Sequence, residues 1–141
     1  MLPLIGADFP KKIIPLLDGA TRNIDLITYD WRWYANQPGH PVQQFNIALV
    51  RAVKRGVHVR ALVNKADLLP TLKSVGINAR VTKDARTLHA KLLTIDSKTL
   101  VIGSHNITRN AFSHNIEASV VVEIPRGETR FHEFFSNLFG L

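Results

Sequence analysis

The stretch "HAKLLTIDSKTLVIGSHN", residues 89–106, decides how the chain is read. Two apolar runs, "LHAKLLTI" over 88–95 and "TLVIG" over 99–103, flank the polar triplet Asp96, Ser97 and Lys98. Runs of this length around a polar turn predict a hairpin. The period of two then sends His89 and Lys91 to one face, which Leu93 and Ile95 continue as apolar core. A half-buried lysine beside a histidine is costly unless an anion pairs with it. The pair makes sense around a phosphate, where lysine supplies a point charge and imidazole a nucleophile or a proton carrier. Gly103 ends the second strand where close backbone approach or a positive φ is wanted. Once the hairpin closes, Ser104 and Asn106 can turn hydroxyl and amide donors onto the same oxygens.

Outward from this hairpin the pattern alternates. "PKKIIPLLDGA" (10–20) predicts a short opening helix, and "NIDLITYDW" (23–31) a strand in which Ile24, Leu26 and Thr28 are read as alternating with polar neighbours. "ANQPGHP" (35–41) is a loop. "VQQFNIALVRAVKRG" (42–56) is a helix whose Val42, Phe45, Leu49, Ala52 and Val53 share a face, with Gly56 as its stop. A strand "VHVRALV" (57–63), a helix "KADLLPTLKSVG" (65–76) and a strand "INARV" (77–81) follow. After the hairpin come a strand "IEASVVVEI" (116–124) and an amphipathic helix carrying Phe131, Phe134, Phe135, Leu138 and Phe139. Strands separated by helices predict an α/β fold, a mixed β-sheet with helices on both faces, in a single domain over 1–141. The site is expected beyond the strand ends, where the loops gather.

Composition narrows the chemistry. With 141 residues and no cysteine, the chain folds without disulfides, thiolates or Cys-type zinc, which fits a reducing, cytoplasmic compartment. The first residues lack a signal peptide's order and no run approaches a membrane span, so no integral membrane association is expected. The net charge is +7, and between Trp31 and Lys83 nine cations face only Asp67. That bias favours a polyanionic partner, with Arg51, Lys54 and Arg55 on the long helix as candidate contacts. In "YDWRWYANQPGHP" (29–41), Tyr29, Trp31, Trp33 and Tyr34 with Arg32 suit either a stacking platform for bases or core and interface packing. His105 and His114 read as residues of solvated loops. No metal-binding cluster is evident.

The spacing His89-x-Lys91-x4-Asp96-x6-Gly103-Ser104-x-Asn106 resembles the HKD signature of the phospholipase D superfamily without departure. Six specified residues at fixed offsets arise by chance in such a chain on the order of once in a million. "NIDLITYDW" is similar to the family's first strand. Glu117 resembles the acidic position that follows the motif in small bacterial members. The resemblance implies a metal-independent phosphodiesterase needing no cofactor and working through a phosphohistidine. It makes His89, Lys91, Asp96 and Asn106 catalytic, with Gly103, Ser104 and Glu117 supporting and Glu117 a candidate to accept the other imidazole N–H. Asp96 lies outside the His/Lys face and suits a role in tying down the turn. Displacement at phosphorus puts nucleophile and leaving oxygen on opposite sides, so a second acid is required, and this chain has one motif where full-length relatives carry two. A twofold homodimer sharing its active site supplies the second histidine. Three functions follow: a nuclease on DNA or RNA, single strands favoured; a phospholipid hydrolase or transphosphatidylase; and a non-catalytic nucleic-acid-binding domain.

Overall fold

The computed structural model describes residues 1–141. In chain order the elements are β1 (Leu2–Ile5), α1 (Asp8–Asp18), β2 (Asn23–Thr28), α2 (Pro41–Lys54), β3 (His58–Val63), α3 (Leu69–Ser74), β4 (Asn78–Val81), β5 (Leu92–Ile95), β6 (Thr99–Gly103), α4 (Arg109–Ser113), β7 (Ala118–Glu123) and α5 (Arg130–Phe139). The strands form one mixed sheet in the order β1-β7-β6-β5-β2-β3-β4. β2, β3 and β4 run parallel, and every pairing on the other side of β2 is antiparallel. The crossovers β2-α2-β3 and β3-α3-β4 progress in the same direction. Right-handed connection therefore lays α2 and α3 on one face.

That face is thickly covered. Phe9, Ile13 and Leu17 of α1, Phe45 and Leu49 of α2, Leu72 of α3 and Phe112 of α4 join a 27-residue cluster over Ile24, Leu26, Leu93 and Val101. The opposite face carries α5 alone, whose Phe135 and Phe139 close a seven-residue cluster with Ile27, Leu62, Leu92 and Leu100. Helices thus cover both faces as expected, four on one and one on the other. β2 is buried on both sides, its Asp25 included at 1% exposure. Arg60 compensates that carboxylate with two hydrogen bonds of 2.8 Å, its guanidinium 4.8 Å from the Phe135 ring. Arg80 donates to the Phe139 carbonyl at 2.8 Å, so these cations dock α5.

The hairpin forms with a later start. β5 begins at Leu92, and residues 88–91 approach it without ladder bonds. Asp96 and Ser97 take φ of +53° and +54°, and Lys98 N–H closes the turn on the Ile95 carbonyl at 3.0 Å, the type I′ geometry that matches strand twist. Three further departures have local causes. The helix expected over 65–76 contracts to Leu69–Ser74, because Pro70 fits only its first turn. β1 passed unread because four residues containing a proline carry no periodic signal, and such a strand suits the sheet edge it occupies. α4, at five residues, is one turn capped by Thr108 Oγ1 on Ala111 N–H.

Candidate active site

Strand directions sort the loops. The C-terminal ends of β1, β2, β3, β4 and β6 and the N-terminal ends of β5 and β7 share one end of the sheet. His89, Lys91, Ser104, Asn106, Glu117, Tyr29, Arg32 and Trp33 all belong to loops there. Leu92 pairs with Ile102 on one side and Ile27 on the other, so the preceding Lys91 is carried between Gly103 and Thr28. This register sets Lys91 beside Gly103, with His89, Ser104 and Asn106 in the adjoining loops at the same end of the sheet.

His89 is exposed, and Lys91 Nζ lies 3.2 Å from its Nδ1 and 3.3 Å from its Nε2. The Tyr29 ring backs both, at 5.1 Å from the imidazole centroid and 5.7 Å from Nζ. Burial holds the Lys91 ammonium below the usual lysine value, with Glu117 pulling it upward. Asn106 Oδ1 accepts from Asp30 N–H at 3.2 Å and the Thr28 hydroxyl at 3.4 Å. Since Asp30 N–H can only donate, the amide orientation is set, and the Asn106 NH2 is left without a protein partner to meet an oxyanion.

Ser104 and Glu117 depart from their expected roles. The Ser104 hydroxyl donates to Glu117 Oε1 at 2.6 Å and accepts from Ala118 N–H at 3.0 Å, so both its functions are occupied within the loop. Glu117 also accepts from Asn115 Nδ2 at 3.1 Å and makes no hydrogen bond to His89. Gly103 meets its requirement through close approach: a Cβ there would strike the backbone and side chain of Ser119.

Asp96 is not brought to the site. It sits at the other end of β5, where its carboxylate accepts from the N–H groups of Thr21, Arg22 and Asn23, the shortest at 2.7 Å, and from the Thr21 hydroxyl. Burial alone would raise this carboxyl, but the donors hold it below the ordinary aspartate value. Asp96 therefore clips the hairpin turn to the start of β2.

The expected nucleic-acid contacts divide. Arg51 pairs with Asp18 at 3.0 Å, and Arg55 donates to the Leu17 and Ala20 carbonyls. Together with Lys54 they lie at the C-terminal end of α2, which leads into the start of β3, opposite His89. The crossover geometry that makes α2 run back along the sheet removes them from the site. Arg32 stays at the site end, paired with Asp30 at 3.3 Å and largely exposed. Trp31 is core, donating Nε1–H to Asn46 at 2.7 Å, and Trp33 is half-buried 6.5 Å from it. Lys65 and Lys83, both within the basic segment of the sequence, and Arg109, which the sequence reading passed over, are exposed cations at the site end; all three follow β-strands that share a direction. His114 is exposed as expected. His105 is buried, contrary to expectation, at 3% exposure.

A mixed α/β sheet with a histidine, a lysine and a free asparagine amide at one end defines a phospholipase D-like domain. Residues 13–139 match the family described as "Cardiolipin synthase, PLD-like domain", and the chain belongs to that family. Over 82 residues it is 33% identical to a phospholipase D of Rickettsia conorii, an alignment covering 54% of this chain and 41% of that protein. The chain thus corresponds to less than half the length of this relative. Among solved structures it is similar to Nuc of Salmonella typhimurium, a phospholipase D family member, with a TM-score of 0.80, 22% identity and coverage of 98% and 93% of the two chains. It is also similar to TrmBL2, an archaeal chromatin protein with a novel mode of DNA binding, with a TM-score of 0.65, 21% identity and coverage of 98% and 51%.

Proposed function

We propose that the chain is a metal-independent phosphodiesterase that acts as a nuclease on DNA or RNA, single strands favoured, through a phosphohistidine at His89. The observation that carries this reading is an exposed imidazole with the Lys91 ammonium 3.2 Å away and the unpartnered Asn106 amide at the same sheet end. A His89 nitrogen forms the bond to phosphorus, the P–O bond to the leaving strand breaks, and the departing oxygen takes a proton from an acid on the far side. Water then attacks phosphorus, restoring the imidazole and releasing a phosphomonoester. Lys91 and Asn106 supply the charge and donors for the phosphoryl oxygens; no group of three His, Cys, Asp or Glu side chains is placed to hold a metal ion. Arg32, Lys65 and Lys83, in loops at the same end of the sheet as His89, and Arg109, at the start of α4 there, suit a polyanionic strand. TrmBL2, whose solved structure shows a novel mode of DNA binding, shares this fold over about half of its chain.

The far-side acid is the reason to propose a twofold homodimer in which a second copy contributes its His89. An open groove of about 670 Å³, its apolar wall of Ala90, Leu92, Ile102, Pro125, Phe131 and Phe134 completed by the charged Glu128 and Arg130, adjoins the His89 segment and suits such a neighbour. The apolar wall of the same groove favours a second reading, a phospholipid hydrolase or transphosphatidylase, in which acyl chains lie against it. No helix is long and apolar enough to cross a membrane. Incubation in EDTA with labelled single-stranded DNA, duplex DNA, RNA and cardiolipin vesicles, beside His89→Ala, decides between them. Cleavage of oligonucleotides alone supports the nuclease, and cleavage of lipid alone replaces it with the second reading.

A further inference from the structure

His105 separates Ser104 from Asn106, and its side chain turns the opposite way. Both ring nitrogens are engaged: Nε2 lies 2.8 Å from the Gly6 carbonyl and Nδ1 2.7 Å from Ser119 Oγ. A carbonyl only accepts, so Nε2 carries the proton and the Ser119 hydroxyl donates to Nδ1. The ring also stacks on Phe9, with centroids 4.5 Å apart and planes 23° apart. One side chain thus ties the loop after β6 to the corner between β1 and α1 and to β7. Besides the side-chain bonds of Ser104 Oγ and Asn106 Oδ1, the loop's backbone bonds lie at its two ends: Ser104 N–H to the Ala118 carbonyl at 3.0 Å, and Ile107 N–H to the Asp30 carbonyl at 3.1 Å with Arg32 N–H to the Ile107 carbonyl at 2.9 Å. Between them stands Asn106. A residue needed only to fill the core would be apolar, since burying polar atoms that serve merely one another brings little net stability. Burial lowers the His105 pKa from the usual histidine value, against opposing effects of the Gly6 carbonyl and Glu117, which suits the neutral ring this bonding requires.

We infer that His105 is a positioning residue: it pins the loop after β6 so that the Asn106 amide is held toward the phosphate site. The inference rests on the phosphodiesterase reading for what Asn106 contacts, and the test separates the two. His105→Phe keeps the stack on Phe9 and loses both hydrogen bonds. His105→Gln retains a donor for Gly6, His105→Asn an acceptor for Ser119, and Ser119→Ala removes that arm from the other side. With bis(p-nitrophenyl) phosphate, His105→Phe lowers kcat about 100-fold while KM moves less than about threefold, because the lost contact is realised in the transition state. The Gln and Asn variants fall between, and they with Ser119→Ala carry the test if the Phe variant does not fold. The second readout is the Asn106 side-chain amide signal in ¹⁵N–¹H spectra, which shifts or broadens in the His105 variants. It stays in place in Arg55→Gln, which loosens the far end of the molecule. Wild-type kcat together with an unmoved Asn106 signal in folded His105→Phe overturns the inference and leaves the phosphodiesterase standing. A moved Asn106 signal in a protein that cleaves no phosphodiester supports the pin and sinks the phosphodiesterase reading.

Discussion

Replacing Asp96 with alanine separates a residue that holds the fold from one that does chemistry. Its carboxylate accepts backbone N–H bonds at 3.0 Å from Thr21, 2.7 Å from Arg22 and 3.0 Å from Asn23, with the Thr21 hydroxyl at 3.2 Å. A hydrogen bond to a charged group contributes about 1.5 to 3 kcal/mol, but Thr21 and Arg22 are exposed and water replaces the carboxylate there, so the total loss is about 3 kcal/mol. A chain of this length gains about 0.3 kcal/mol/K of unfolding entropy, which converts the loss to a Tm lower by about 10 °C. The four residues of β5 stand between Lys91 and Asp96, so at about 3.3 Å each the clip sits more than about 10 Å along the sheet from the imidazole end, too far for contact with a reacting phosphate. Differential scanning fluorimetry and hydrolysis of bis(p-nitrophenyl) phosphate at 25 °C are the paired assays. A clip confined to the fold gives a large fall in Tm with kcat within about twofold of wild type. A hundredfold loss of kcat at unchanged Tm would refute it and return Asp96 to the catalytic set.

Other outcomes follow from the same geometry. Lys91→Ala and Asn106→Ala each lower kcat by about 10² to 10³, the scale of one lost oxyanion donor, and near-normal rates in steady-state kinetics place the phosphate elsewhere. His40 and His105 both have folded pKa values below the usual histidine value, burial being the first cause for each. The unfolded chain therefore binds protons first, so stability is full above about pH 6.5 and falls as pH drops toward the folded values; a Tm flat from pH 7 to 5 contradicts this. Ser97→Gly relieves a non-glycine residue at φ +54° and raises stability by about 1 kcal/mol in chemical denaturation. For oligonucleotide binding by His89→Ala, neutralising Lys65, Lys83 or Arg109 reduces the salt dependence by about 0.7 in log-log slope per lost phosphate contact on single strands. Lys54→Gln leaves it unchanged, and the reverse order would put the strand at the far end of the sheet.

The parts of the fold that could be read from sequence were those with strong periods or punctuation. α2 is legible because Val42, Phe45, Leu49 and Ala52 fall on one face and Gly56 stops it; α5 because its phenylalanines do the same. β1 and α4 are too short to show a period. The motif residues at the site were legible because the hairpin register forces His89, Lys91 and Gly103 together. The cations of α2 misled, since charge counted along a chain says nothing about which end of a sheet it reaches: Arg51 and Arg55 serve Asp18 and the carbonyls of Leu17 and Ala20. His105 was readable in principle. If Ser104 and Asn106 face the site from an extended loop, the residue between them faces inward, and a buried histidine demands two partners that only the fold reveals.

The most direct measurement is of the bond proposed at His89. Mixed rapidly with bis(p-nitrophenyl) phosphate in EDTA and quenched in alkali, which preserves phosphohistidine, the protein should release a burst of p-nitrophenolate stoichiometric with active sites. Mass spectrometry should then find the nitrophenyl-phosphoryl adduct on the peptide containing His89, and neither burst nor adduct in His89→Ala. Turnover that persists in His89→Ala, or an adduct on another side chain, contradicts the assignment of His89 as the nucleophile.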